Sequence, residues 1–196
     1  NPAREIDECL ALVDDVKRRA KEAHRQTELD AKAKDNLEKK GEPTMVKLDE
    51  GPTKGDPSKF AGLRPAFSKD GTITAANASS INDGASALIL ASEKAVKEHK
   101  LEPLCRIVGW GGGAQEPAKF TTAPVLAMNE ASAKTGIKLD AIDLFEINEA
   151  FGVVTMACAK LTNVDLQKVN VRGGAVALGH PIGATGARMV TTLAYA

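Results

Sequence analysis

Two side chains in this sequence can handle a proton and a developing negative charge. His180 stands in Gly179-His180-Pro181-Ile182-Gly183-Ala184-Thr185-Gly186. Glycine before the histidine permits close backbone approach, and proline after it fixes φ, so the imidazole is presented from a rigid turn. Gly173, Gly174, Gly179, Gly183 and Gly186 clear room for a ligand where a helix begins. Asn148 opens the run Asn148-Glu149-Ala150-Phe151-Gly152. Its carboxamide carries donors and an acceptor and can hold a water in a fixed orientation. Taken singly, each residue has a plainer reading. A lone histidine is commonly structural, an asparagine after a strand commonly caps a helix, and Glu149 serves as an N-terminal helix charge or a hydrogen-bonding partner. Phe151 fits either the core or one wall of a pocket. A third segment, from Gly71 through Ala75, Ala76, Ala78 and Ser79 to Gly84, consists mostly of small residues. It reads as a polar loop joining two strands or as a backbone open to a ligand.

The elements that must position these groups follow from local pattern. Residues 1–44 mix both charge signs, and Ile6, Leu10, Val13 and Ala20 recur at helical spacing, which predicts one or two amphipathic helices ended by Gly41-Glu42-Pro43. From Met45 the texture becomes α/β. Short strands are expected at Met45–Leu48, Ala87–Leu90, Leu104–Val108, Leu144–Ile147 and Val169–Val171, and a strand-like stretch at Gly174–Leu178. Helices are expected at Glu93–His99 behind a Ser92 cap, from about Pro124 to Thr135, over 149–161, and from about Ala184 onward. Alternation of strand and helix over 104–196 predicts βαβ crossovers in a largely buried sheet. Functional residues gather at strand ends in such sheets, so Asn148 and His180 are expected on one rim.

Composition narrows the function classes. Net charge is zero and aromatics make up 4% of the chain, which argues against a nucleic-acid surface. Hydrophobic residues at 43% support a packed core. No apolar run approaches the roughly 20 residues of a membrane span, and the acidic N-terminus lacks the pattern of a secretory signal. Cys9, Cys105 and Cys158 have no paired spacing, so they read as structural thiols in a reducing compartment. His24, His99 and His180 are too dispersed for a metal cluster to show in sequence.

Residues 45–196 resemble the thiolases. The resemblance rests on Asp49-Glu50-Gly51-Pro52, Leu63-Arg64-Pro65-Ala66-Phe67, Thr74-Ala75-Ala76-Asn77-Ala78-Ser79, Asn148 to Phe151, Val169-Asn170-Val171 and Gly173 to Arg188. It implies a layered α/β/α/β/α fold with two similar halves and an inserted loop domain that binds coenzyme A. On that basis 1–44 is a charged helical segment that matches poorly. Residues 45–103 are the end of the loop domain with the last strand region of the first half, and 104–196 are a truncated C-terminal half.

The implied activity is acyl-CoA C-acyl transfer, making or cleaving acetoacetyl-CoA or a related 3-ketoacyl-CoA through a cysteine-bound acyl group, within fatty acid and ketone-body metabolism. His180 matches the histidine that helps to activate the acyl-accepting cysteine and donates to the thioester oxyanion. Asn148 matches the asparagine that positions a water in the same oxyanion hole. Ser79 and Ala75 match contacts to the pantetheine arm of coenzyme A, and Ala150 and Phe151 border that tunnel. The Ala-Ala-Asn-Ala-Ser run is similar to that of mitochondrial acetoacetyl-CoA thiolases, where loop carbonyls bind potassium; Ala75, Ala76 and Ala78 are the matching positions.

Further expectations are coenzyme A and acyl-CoA as substrates, no covalently bound cofactor, a homodimer or homotetramer, and the mitochondrial matrix, with cytosol or peroxisome as alternatives. Neither of the family's two reactive cysteines is matched, because one belongs upstream and the other in a Cys-x-Gly-Gly-Gly segment downstream. That departure keeps open a non-catalytic coenzyme A-binding or interaction subunit. A ketoacyl synthase is a weaker rival, since those enzymes typically use two histidines and only His180 has a suitable motif.

Overall fold

Helix ends follow the local chemistry of the chain. In α1 (Glu93–Glu98) the Ser92 side chain accepts the Ala95 N–H, Glu93 sits in the first turn and Lys97 in the last, matching the helix dipole. In α2 (Ala123–Thr135) a proline occupies the first turn and Gly136, at φ 71°, closes the helix by donating its N–H to Ser132 O. Helix α3 (Gly152–Thr162) ends on Asn163 in the left-handed region. Helix α4 (Ala175–Leu178) is a single turn, and α5 (Ile182–Ala194) follows directly after the His180 turn. The computed structural model describes residues 55–196. The helices expected over 1–44, the strand at Met45–Leu48 and Cys9 lie outside the described residues.

The core forms where α3 meets the chain leading to Asn148. Ile147, Val154 and Cys158 are buried together, and Val125, Met128, Phe145, Ala150, Phe151 and Val169 pack around them. Val154, Thr155, Cys158 and Ala159 form the inward stripe of α3, the one-turn spacing of an amphipathic helix. Phe145 and Val169 pair in parallel, with Phe145 N–H donating to Lys168 O and Asn170 N–H to Phe145 O, both at 2.8 Å. α3 lies between these two positions in the chain, but their contact is an isolated bridge: of the strand expected at Val169–Val171 only Val169 pairs, because Asn170 turns away at φ +51°.

Three further expectations need correction. The strand-like reading of Gly174–Leu178 gives way to the helical turn α4, because the Glu149 carboxylate accepts the Val176 N–H at 3.1 Å and satisfies the helix start. A short apolar run cannot be assigned by periodicity alone. The helix expected from 149 starts at Gly152, since Phe151 is extended and pairs with Ala78.

The strands expected at Ala87–Leu90 and Leu104–Val108 are extended chain without a ladder, exposed rather than buried in a sheet. Ile89 and Leu90 are each 77% exposed and Ile107 is 66% exposed. A strand requires a neighbour for its N–H and C=O groups, and no described residue pairs with either segment. Beyond them the chain lies flush on α2. A side chain at Gly111 would strike the Ala127 carbonyl, which is why glycine stands at this crossing. Among the described residues, no helix is long and apolar enough to cross a membrane.

Candidate active site

The loop of small residues binds both chemically interesting segments. Gly152 N–H donates to Asn77 O at 2.8 Å, and Ser79 gives both its N–H (3.2 Å) and its hydroxyl (3.1 Å) to Ala150 O. One residue later, Ser80 O accepts the His180 N–H at 3.0 Å, and Ile81 pairs in parallel with His180. Ala78 lies opposite Phe151. Phe151 is held edge-on by Phe67 and Phe120, at centroid distances of 5.6 and 6.2 Å. Asn77 steadies the loop from within, accepting the Thr74 N–H and donating to Thr72 O.

His180 and Asn148 converge. Asn148 Nδ2 is 3.3 Å from His180 Nε2, across 32 positions of sequence. On the far side of the ring, Nδ1 meets the Thr185 hydroxyl at 2.8 Å. Asn148 Oδ1 is buried and has no partner among the described residues. A buried acceptor left open beside an imidazole is the place for a water or for a ligand group that donates a hydrogen bond. Gly179 has φ +90°, and a Cβ there would strike the Asn82 carboxamide, so only glycine carries the backbone into the His180 turn.

Asn170 is the residue that holds Asn148 from behind, and the sequence reading treats it only as part of a strand. Its Oδ1 accepts the Ile147 N–H at 2.8 Å, and its Nδ2 donates to Ile147 O at 2.9 Å and to Glu149 Oε1 at 3.0 Å. Asn170 adopts φ +51°. The available signal is composition, because asparagine is depleted in strands and tolerates the left-handed region. Glu149 thus bridges Asn170 and the start of α4, the structural-partner alternative of its two readings. Thr185 and the Glu146–Arg188 pair also escape sequence reading, because nothing local distinguishes them.

A cavity of about 360 Å³ opens beside Asn148, lined among others by Phe120, Met128, Glu146, Ala150 and Val154. The Glu146 side chain is 4% exposed, its Oε2 pairs with Arg188 at 3.2 Å, and its Oε1 is unpartnered among the described residues. Loss of hydration raises the Glu146 carboxyl above its ordinary value of 4.5, with the Arg188 guanidinium opposing the rise. A raised carboxyl binds its proton more tightly when folded than when unfolded. Its contribution to stability is therefore complete below the ordinary value and declines as pH climbs from 4.5 through the raised value. Glu146→Gln is expected to flatten that decline in urea midpoints measured between pH 4.5 and neutrality. An unchanged slope would contradict this assignment.

Among the cysteines, Cys158 is fully buried with Sγ against Thr121 O, and burial pushes its thiol up; it is a structural thiol. Cys105 is exposed on the extended segment rather than set in a paired strand. No group of three or more His, Cys, Asp or Glu side chains suited to a metal occurs among the described residues. Ala75 and Ala76 form a turn, and their carbonyls, like that of Ala78, accept no hydrogen bond from the described residues.

The family model for the thiolase N-terminal domain matches residues 16–94, and that for the thiolase C-terminal domain matches residues 101–196. An acetyl-CoA acetyltransferase of Schizosaccharomyces pombe is 48% identical over 157 residues, covering 80% of this chain and 40% of the relative. The crystal structure of Acat5 thiolase from Ascaris suum in complex with coenzyme A is similar at a TM-score of 0.70 and 44% identity, over 76% of this chain and 40% of that one. The Bacillus anthracis acetyl-CoA acetyltransferase structure gives a TM-score of 0.72 and 42% identity, over 81% and 41%. The chain therefore spans about two fifths of the length of the relatives it matches. With both thiolase domain models matched in order and the layered α/β fold shared, this chain belongs to the thiolase family.

Proposed function

We propose that this protein is an acyl-CoA C-acyltransferase that makes or cleaves acetoacetyl-CoA or a related short 3-ketoacyl-CoA. The observation that carries the reading is the 3.3 Å approach of the His180 imidazole and the Asn148 carboxamide, with Asn148 Oδ1 left open beside them. In the synthetic direction an acetyl group passes from coenzyme A sulfur to a cysteine thiolate, releasing the coenzyme A thiol. A second acetyl-CoA then loses an α-proton to a base. The resulting enolate carbon attacks the acyl-cysteine carbonyl, forming the C–C bond and returning the thiolate. Negative charge gathers on the thioester oxygen during deprotonation. A donor from His180 and a water held by Asn148 stabilise it by several kcal/mol in a site shielded from solvent. Ser79, Ala75, Ala150 and Phe151 border the route for the pantetheine arm in this reading. Neither reactive cysteine of this reading is matched within residues 1–196.

The loop carbonyls of Ala75, Ala76 and Ala78 suit a potassium ion, since they are hard oxygen donors not taken up by backbone N–H groups. Bound there, the ion would supply positive charge and order to the loop whose next residues grip Ala150 and His180. The loop sequence supports the mitochondrial matrix as location, and a homodimer or homotetramer as assembly, both by family resemblance.

The deciding experiment assays the full-length protein with acetoacetyl-CoA and coenzyme A, in potassium and in sodium. Acetyl-CoA should accumulate, the thermal midpoint should be higher in potassium, and the isolated 196-residue chain should give no turnover. A full-length protein that binds coenzyme A without turnover would reject the acyltransferase in favour of a non-catalytic coenzyme A-binding subunit. Equal midpoints in the two salts would reject the potassium site.

A further inference from the structure

The structure assigns Thr185 as a positioning residue that fixes which ring nitrogen of His180 carries the proton. Thr185 Oγ1 lies 2.9 Å from Pro181 O and 2.8 Å from His180 Nδ1. A carbonyl oxygen only accepts; with its single proton on Pro181 O, which also takes the Ala184 and Thr185 N–H groups at 2.8 Å each, the Thr185 hydroxyl keeps lone pairs for the ring. In that arrangement the hydroxyl faces Nδ1 with a lone pair, and Nδ1 bears the hydrogen between them. We assign the neutral ring on this basis to the Nδ1–H tautomer, which leaves Nε2 to accept from Asn148 Nδ2 at 3.3 Å. Thr185 is held firmly enough to impose this. It is 4% exposed and sits in the first turn of α5, where its own N–H also donates to Pro181 O at 2.8 Å.

The inference deepens the proposed function and rests on it for its chemical meaning. A base that takes a proton from a thiol needs an available ring nitrogen on the substrate side, and the tautomer reserves Nε2 for that work. The proton leaves sulfur as a thiolate forms and arrives at Nε2, giving an imidazolium with hydrogens on both nitrogens. Nδ1–H remains on Thr185 Oγ1, and Nε2–H is then a donor aimed at whatever negative oxygen replaces the Asn148 amide. The same nitrogen serves as base first and as oxyanion donor afterwards, without rotation of the ring. In serine proteases an aspartate orients the histidine through its Nδ1–H; here a neutral hydroxyl does so, its direction set by a backbone carbonyl.

The test uses full-length protein labelled with nitrogen-15 in histidine, with the His180 signals identified by their loss in His180→Ala. Neutral wild-type ring nitrogens should show pyrrole-type Nδ1 and pyridine-type Nε2. Thr185→Val should shift the ring toward the Nε2–H form and lower kcat by about 10-fold to 100-fold, the range typical of partners that orient an imidazole. Thr185→Ser, which keeps the hydroxyl, should restore both. A wild-type Nε2–H ring, or a Thr185→Val protein with unaltered ring signals, overturns the assignment. If Thr185→Val does not fold, the wild-type spectrum and the serine variant still decide. Absence of acyl transfer together with an Nδ1–H ring would reject the proposed function while leaving the Thr185 assignment standing.

Discussion

Replacing His180 by alanine in the full-length protein is expected to lower thiolysis of acetoacetyl-CoA by at least about 100-fold, the loss that follows removal of one oxyanion donor. The expectation is a lower bound, because the variant loses more than a donor. Nε2 is the partner of Asn148 Nδ2, and Nδ1 is the partner of Thr185. Without the ring, the carboxamide that should hold the water is no longer steered, and a proton acceptor disappears from the same place. The backbone bond from residue 180 to Ser80 O does not use the side chain, so the turn itself should survive. Steady-state kinetics should therefore show the fall mainly in kcat, with coenzyme A affinity largely kept. A variant turning over at near-normal rate would remove His180 from the mechanism.

Asn170→Ala should produce the largest loss of stability from a single change near the site. Three hydrogen bonds vanish, and two of them satisfy both backbone groups of buried Ile147. Leaving a buried donor or acceptor unpaired costs about 1–3 kcal/mol each. Alanine at φ +51° adds about 1–2 kcal/mol of steric cost. The expected total is about 3–8 kcal/mol, read as a shift in urea or thermal midpoint of the full-length protein. Asn170→Gly separates the two contributions, since it should recover the backbone part and nothing else. Equal stability of the alanine and glycine variants would show that the left-handed conformation carries no cost. A loss below about 1 kcal/mol in both would refute the role given to the side chain.

How much of this was legible in sequence depended on whether the signal was local. The ends of α1 and α2 were readable because Ser92 and Gly136 act on backbone groups within a turn of themselves. The partnership of His180 with Asn148 was readable because each sits in a run of distinctive composition, although the chain before His180 is the helical turn α4 rather than the expected strand. Thr185, Asn170 and the Glu146–Arg188 pair were not, since their partners lie across turns or across 23 and 42 residues. The Gly174–Leu178 run failed for a related reason. Its five residues fit a strand or a helical turn equally well, and the choice was made by the Glu149 carboxylate from outside the segment. At Ala87–Leu90 and Leu104–Val108 the residue types favour strands, but strand formation is a property of two chains together.

Asn77, Ser79 and Ser80 fasten to Gly152, Ala150 and His180 respectively. They act as a ruler whose graduations are peptide units. The span between imidazole and carboxamide is thus written in the residue count of this splint rather than in the distant layers of the fold. Exchanging its small side chains leaves that count intact, whereas inserting or deleting one residue between Asn77 and Ser80 would put the two reactive groups out of step.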